Sequence, residues 1–233
     1  MSLTEKNSTA ECHLCNDREF VLVHENGDWR AVPCQCKAQK AIKRMIKASG
    51  LTPEQRKIRL ANLKPLPQTM AMHRTVQRYL EEFPKIYKEH VVAKGFALTG
   101  TVGTGKTTLA VAVANEMLER RIPTAFVVTP NLIGELREAQ FEGGLEEKIH
   151  KLSTVDVCIF DDVAKEKVTE WIQTQYFRII DNRYRNMLPT IFTSNFGFDE
   201  ISERLGEAVA SRLYAMTKGR QIHVEAEDLR VCL

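Results

Sequence analysis

Two hydrophobic rhythms divide this chain. Near the N-terminus, Phe20-Val21-Leu22-Val23 and Trp29-Arg30-Ala31-Val32 read as short strands. Between them, Glu25-Asn26-Gly27-Asp28 carries the Asn-Gly mark of a tight hairpin, because both residues tolerate positive φ. A helix is predicted over about 37–49, with Ile42, Met45 and Ile46 on one face and Gly50 placed to stop it. Thr52-Pro53-Glu54 predicts an N-cap followed by proline at the first position of another helix. Lys64-Pro65-Leu66-Pro67 reads as a linker, and Val76, Tyr79, Leu80 and Phe83 predict a helix over about 69–83.

From Gly95 onward, strands and helices alternate. Strands are predicted at 96–99, 124–128, 155–160, 190–193 and 221–224, with helices at about 107–120, 132–141 and 170–187. The third strand has no polar residue after Asp156, as expected of a strand covered on both faces. This succession predicts an α/β fold, a mostly parallel five-stranded sheet with helices on both sides. Three regions follow: an N-terminal module over 1–50, a basic helical linker region over 51–94 and the α/β domain over 95–233. Residues 1–11 read as a polar leader.

Composition agrees with a folded protein. The 233 residues are 43% hydrophobic and 27% charged with mixed signs, enough to bury a core and solvate a surface. No run of eighteen apolar residues and no secretory leader are present, so the expected compartment is the cytoplasm. The net charge of +3 is unevenly spread: residues 37–94 carry 14 basic and 4 acidic side chains, whereas the flanking regions are mildly acidic. Such a segment suits polyanions or acidic protein surfaces, and equally a solvated helix face.

Four of the six cysteines, Cys12, Cys15, Cys34 and Cys36, fall within 25 residues. In a reducing compartment such clustering points to metal more than to disulfides. A hairpin presents two ligand pairs, and zinc takes four ligands in a tetrahedron. The second pair is tighter by one residue than the usual C-x2-C, so His13 or His24 is an alternative ligand; four cysteines are the favoured set. No open coordination position is evident, so the site is expected to be structural, its metal supplying folding free energy to a module with little core.

Gly100-Thr101-Val102-Gly103-Thr104-Gly105-Lys106-Thr107 fits the phosphate-loop pattern G-x-x-x-x-G-K-[ST], between a predicted strand and a predicted helix. Its glycines let backbone N–H groups turn toward phosphate oxygens at a helix N-terminus. Lys106 adds a full charge for the β- and γ-phosphates of ATP, the Thr107 hydroxyl is a Mg²⁺ ligand, and Thr108 continues the loop. The apolar third strand delivers Asp161 and Asp162 to the sheet edge that faces ligands in open α/β folds. Asp161 is expected to hold Mg²⁺ and Asp162 to orient or deprotonate the attacking water; Asn195, in Thr193-Ser194-Asn195, is expected to reach the γ-phosphate or the water.

With these motifs in place, residues 95–233 resemble the AAA+ ATPases of the DnaC/DnaI helicase-loader and IstB group. The resemblance rests on the phosphate loop, the Asp161-Asp162 pair, Thr193-Ser194-Asn195 and a late Ala210-Ser211-Arg212-Leu213; Gly50-Leu51-Thr52-Pro53 and the paired cysteines extend it upstream. It implies an AAA+ P-loop three-layer fold preceded by a zinc-binding module. It also implies that Arg212, by residue type alone an ordinary surface arginine, is an arginine finger reaching nucleotide on a neighbouring subunit, so that homo-oligomer contacts are expected. Arg230, in Glu227-Asp228-Leu229-Arg230, is similar to the C-terminal sensor arginine. Two departures stand out. The residues after the last strand are too few for the helical lid of many AAA+ proteins, and Asp162 stands where many carry glutamate. The shorter acid implies slow, switch-like hydrolysis.

The function implied is ATP-dependent loading of a hexameric replicative helicase during DNA replication, with single-stranded DNA binding and nucleotide-timed release. The alternative is an IstB-like ATPase that assists a transposase on duplex DNA. A small-molecule kinase is a third class that the phosphate loop alone permits; a trans-acting arginine argues against it.

Overall fold

The computed structural model describes residues 10–25, 27–165, 168–226 and 228. They form two compact units, one ending at Ala48 and the other starting at Ser49.

In the first unit, strands β1 (Phe20–Glu25) and β2 (Asp28–Pro33) pair antiparallel, and helix α1 (Gln35–Ala48) follows. Gly27, at φ +88°, takes the turn backbone expected of it. Little apolar surface is covered. Leu22 and Trp29 remain 67% and 69% exposed, and the buried cluster consists of Cys15, Cys34 and Cys36 with Val21 and Cys12 packed on it. Part of the basic surplus of α1 is used internally. Lys40 pairs with Asp17 at 2.6 Å, Lys43 with Glu11 at 3.1 Å, and Arg44 with Glu19.

The second unit is built on a five-stranded sheet of β3 (Ala97–Gly100), β4 (Thr124–Val128), β5 (Val157–Asp161), β6 (Thr190–Ser194) and β7 (Gln221–Val224). The spatial order is β4-β5-β6-β3-β7 and every pairing is parallel, so the phosphate-loop strand β3 lies between β6 and β7. All five predicted strands are present within a residue or two. Every residue of β5 is buried, in keeping with its unbroken apolar run.

Helices α2 (Met70–Lys88), α3 (Lys106–Glu119), α4 (Thr129–Glu142), α5 (Leu145–Thr154), α6 (Glu170–Arg185), α7 (Phe198–Leu205) and α8 (Glu207–Thr217) complete the unit. The apolar rhythm alone predicted neither α5 nor the α7–α8 pair. Gly143 and Gly144, at φ +89° and +94°, break the chain between α4 and α5.

The predicted helix after Thr52 does not form. Thr52 and Gln55 do make reciprocal capping bonds, at 2.9 and 3.2 Å, yet only short 3₁₀ turns follow at Gln55–Lys57 and Leu60–Asn62. The reason is tertiary. The Asn115 amide on α3 donates to the carbonyls of Gln55 and Ile58, at 2.9 and 2.8 Å, taking acceptors that a continuing helix would use.

Helix α2, by contrast, outruns its prediction by passing through Pro84. A proline there frees the carbonyl four residues back. That group, on Leu80, accepts from Arg120 at 2.8 Å. At the sheet edge, the Ser49 carbonyl accepts from Phe126 N–H of β4 at 2.7 Å. The edge strand is thereby partly covered. A Cβ on Gly50 would come within 2.4 Å of the Phe126 oxygen, so close approach requires glycine there.

Arg183 of α6 is fully buried and forms no ion pair with a carboxylate among the described residues. Its guanidinium donates to the carbonyls of Leu152, Val155, Asp156 and Pro189 and to the Thr190 hydroxyl, at 2.7 to 3.4 Å. It thereby ties the end of α5 to the starts of β5 and β6. No helix among the described residues is long and apolar enough to cross a membrane.

Candidate functional site

The phosphate loop joins β3 to α3. Gly100, at φ +120°, passes under Val224 so closely that a Cβ would lie 1.9 Å from its carbonyl oxygen. Gly105, at φ +86°, caps α3 in the left-handed region that favours glycine. The Lys106 ammonium is buried and curls inward, donating to the carbonyls of Gly100 and Thr101 at 2.8 and 2.6 Å. Thr101 faces the other way. Its hydroxyl donates to the Ala226 carbonyl and accepts from Ala226 N–H, so the segment after β7 is fastened to the loop. Farther along that segment, the Asp228 carboxylate lies against Gly103, where a Cβ would meet it at 1.8 Å.

Asp161 ends β5 and is 4% exposed. Its Oδ1 accepts from Thr107 at 2.8 Å and from Thr193 at 2.6 Å, so α3, β5 and β6 meet on one carboxylate oxygen. Burial pushes the Asp161 carboxyl above the usual carboxylate range, and the two hydroxyl donors pull it partly back.

Asp162 follows at φ +57°, a strained conformation for a non-glycine residue. Neighbours on β6 hold it. Asp162 N–H donates to the Thr193 hydroxyl at 3.0 Å, Val163 N–H to the Thr193 carbonyl at 2.8 Å, and the Ser194 hydroxyl to the Val163 carbonyl at 2.7 Å. Lys165 reaches back to the Asp162 carboxylate at 3.1 Å.

These groups border a cavity of about 330 Å³ lined by the loop from Val102 to Thr108 together with Asp162, Lys165 and Asn195. A cation, a helix N-terminus, threonine hydroxyls and the Asp162 carboxylate around one opening, with Asp161 bonded to Thr107, can receive a phosphate chain and a divalent cation. The Gly100 and Thr101 carbonyls hold the Lys106 ammonium, and Asp161 holds the Thr107 hydroxyl.

Arg212 does not line that cavity. On α8 its Nε meets Asp181 at 2.6 Å, its Nη1 donates to the Ala208 carbonyl at 2.9 Å, and its guanidinium lies 4.6 Å from the Phe177 ring centre. Arg230 lies outside the described residues. Sequence reasoning missed the bridging role of Thr193 and the ion pairs of Lys165 and Asp181. Single polar residues in unremarkable spacing carry no mark of contacts made across 3 to 32 positions.

The four cysteines converge in the first unit. The Sγ atoms of Cys12 and Cys34 lie 3.7 Å apart and those of Cys15 and Cys36 3.3 Å apart, and all four fall within 4.8 Å of one another. Zn–S bonds of about 2.3 Å give a tetrahedral edge of about 3.8 Å, so the cluster is compatible with Zn²⁺. Backbone N–H groups of Cys15 and Leu14 lower the Cys12 thiol to about 7, whereas burial raises that of Cys36. Those amide donors favour a sulfur held as thiolate. His24 meets Trp29 edge to face with ring centres 5.0 Å apart, and the candidate metal cluster contains four cysteines and no histidine.

The IstB-like ATP binding protein family matches residues 42–226. The chain belongs to that family. Over 136 residues it is 33% identical to the replicative helicase loader DnaI of Bacillus subtilis (strain 168), which covers 58% of this chain and 42% of that protein. Over 217 residues it is 26% identical to the phage-like element PBSX protein XkdC of the same strain, covering 90% of this chain and 80% of the other. The crystal structure of the DnaC helicase loader superposes with a TM-score of 0.65 at 25% identity, covering 74% of this chain and 99% of that one. The chain thus spans less than half the length of DnaI. The second unit is an AAA+ P-loop ATPase fold, and the family membership brings ATP as the nucleotide and Mg²⁺ as its companion.

Proposed function

We propose that this chain is an ATP-dependent loader of a hexameric replicative helicase, acting in the cytoplasm during DNA replication. The observation that carries the proposal is the junction of Thr107, Asp161, Thr193 and Asp162 beside the phosphate-loop cavity, in a chain whose relatives include proteins named as helicase loaders. ATP sits with its phosphates along Val102, Gly103, Thr104, Gly105 and Lys106. Lys106 leaves its carbonyl partners to meet the β- and γ-phosphates. Thr107 and Asp161 would hold Mg²⁺, which would supply positive charge against the phosphate chain. Asp162 orients or deprotonates the attacking water, and Asn195 reaches the γ-phosphate or that water. Arg212 acts on nucleotide bound to a neighbouring subunit, and Arg230 serves as the C-terminal sensor.

Nucleotide state then times release of the helicase, and the ATPase unit binds single-stranded DNA. Zinc on Cys12, Cys15, Cys34 and Cys36 folds the first unit, which with the basic helices docks on the helicase. The regions expected are 1–50 for the zinc module, 51–94 for the basic linker and 95–233 for the ATPase.

The family match also favours a second reading, an IstB-like ATPase that assists a transposase on duplex DNA. A pull-down from host lysate, with and without ATP, separates the two. A hexameric helicase recovered with nucleotide dependence supports loading, and a transposase overturns it. Calorimetric titration with adenine nucleotides tests the shared premise, because Lys106→Ala must abolish the heat of binding. Turnover that responds to a small-molecule acceptor rather than to DNA or helicase would instead indicate a kinase.

A further inference from the structure

Arg212 is held on a pedestal built by one face of α6. Phe177, Asp181, Tyr184 and Arg185 recur at spacings of four, three and one along that helix, which brings Phe177, Asp181 and Arg185 onto one side. Phe177 lies under the Arg212 guanidinium, with Tyr184 farther out at 5.8 Å. The Asp181 carboxylate, 14% exposed, is divided between two arginines. Its Oδ1 takes Arg212 Nε at 2.6 Å and its Oδ2 takes Arg185 Nε at 2.8 Å.

From this arrangement we infer that Asp181 is a positioning residue for Arg212, fixing that guanidinium for use by a neighbouring copy of this chain. The inference rests on the trans role proposed for Arg212. Three physical points support it. First, a free arginine loses rotamer freedom when it is fixed, and Asp181 with Phe177 imposes that loss before any nucleotide arrives. Second, the bonds to Asp181 and Ala208 engage Nε and Nη1, and Nη2 makes no hydrogen bond among the described residues, so one terminal nitrogen is left to donate outward. Third, Arg185 neutralises the second half of the carboxylate. The three-residue group keeps a net positive charge, so the acid orients the cation without cancelling its field.

The test measures ATP turnover per chain against protein concentration, where a trans contribution shows as activity that rises with assembly. Asp181→Ala is expected to lower kcat of the assembled protein by roughly 10- to 100-fold, the scale of a misaligned catalytic group, with KM within twofold. Asp181→Asn keeps an acceptor for Arg212 Nε and is expected to recover part of the loss, and thermal melting checks that both variants fold. In an Arg212→Ala background, Asp181→Ala should add no further loss, because a residue acting only through another contributes nothing once its partner is gone.

Unchanged or increased kcat in Asp181→Ala overturns the inference, the increase marking Asp181 as a clamp that withholds the arginine. A full additional loss in the Arg212→Ala background overturns it as well, by showing a route independent of Arg212. If Arg212→Ala alone leaves concentration-dependent turnover intact, the trans reading of Arg212 fails and the positioning role fails with it. If Arg212→Ala abolishes that turnover while Asp181→Ala does not, the positioning role alone fails.

Discussion

Replacing Thr193 by valine removes one oxygen atom from the junction between the phosphate loop and the two acids while keeping the side-chain shape. That oxygen donates to Asp161 Oδ1 at 2.6 Å and accepts from Asp162 N–H at 3.0 Å, and the residue is fully buried. No water can take over either bond. A hydrogen bond to a charged group is worth about 1.5–3 kcal/mol, and an orphaned buried N–H costs about 1–3 kcal/mol. Allowing for relaxation of the strained Asp162 backbone and for the added methyl contact, we expect a net destabilisation of about 3 kcal/mol. For a unit of this size that lowers Tm by about 6–12 °C.

The penalty has a pH signature. Asp161 is already raised by burial, and loss of the Thr193 donor raises it further. An acid whose folded pKa lies above its unfolded value destabilises the fold where it is ionised, and the cost disappears as pH falls through the folded pKa. The stability gap between Thr193→Val and the parent should therefore be widest at neutral pH and narrow on acidification. The pH at which Mg²⁺-dependent nucleotide binding half-develops should also move upward in the variant. Differential scanning calorimetry across pH, with Thr193→Ser as the hydroxyl-retaining control, provides the assay. A valine variant within about 1 kcal/mol of the parent at pH 7, or a gap that grows on acidification, would refute the reasoning.

Arg183→Met leaves four carbonyls and a hydroxyl buried without their donor, and should cost about 3–5 kcal/mol by thermal or urea unfolding, the scale of breaking a buried charged network. Asp161→Asn keeps an acceptor for both threonine hydroxyls but removes a buried charge, so the nucleotide-free protein should be more stable by about 1–2 kcal/mol in thermal unfolding while Mg²⁺-dependent nucleotide binding is lost in calorimetry. A strong chelator should release zinc, detected with a colorimetric dye, and should abolish the far-UV signal of the hairpin unit, because its buried cluster is little more than cysteine. Cys36→Ser should do the same without chelator, and an undiminished signal in either case would exclude a structural metal.

Much of this protein is set by local patterning. The five strands, the hairpin, the phosphate loop and the meeting of the cysteines all follow from apolar runs, turn residues and spacing, because each is decided within a few neighbouring positions. Asp161 and Asp162 were legible for the same reason: an unbroken apolar strand has to end somewhere, and those acids mark its end. Tertiary contact decided the rest. Asn115 unmade a helix that Thr52 and Gln55 were capped to begin, and Arg120 let another run through Pro84. Thr193 became the joint of the site because parallel pairing set β6 beside β5, 32 residues away from Asp161 in the chain. Arg212 gained its pedestal only when α6 and α8 packed together. A hydrogen bond between distant segments leaves no periodicity in either one, so its partners become visible only when the chain is folded.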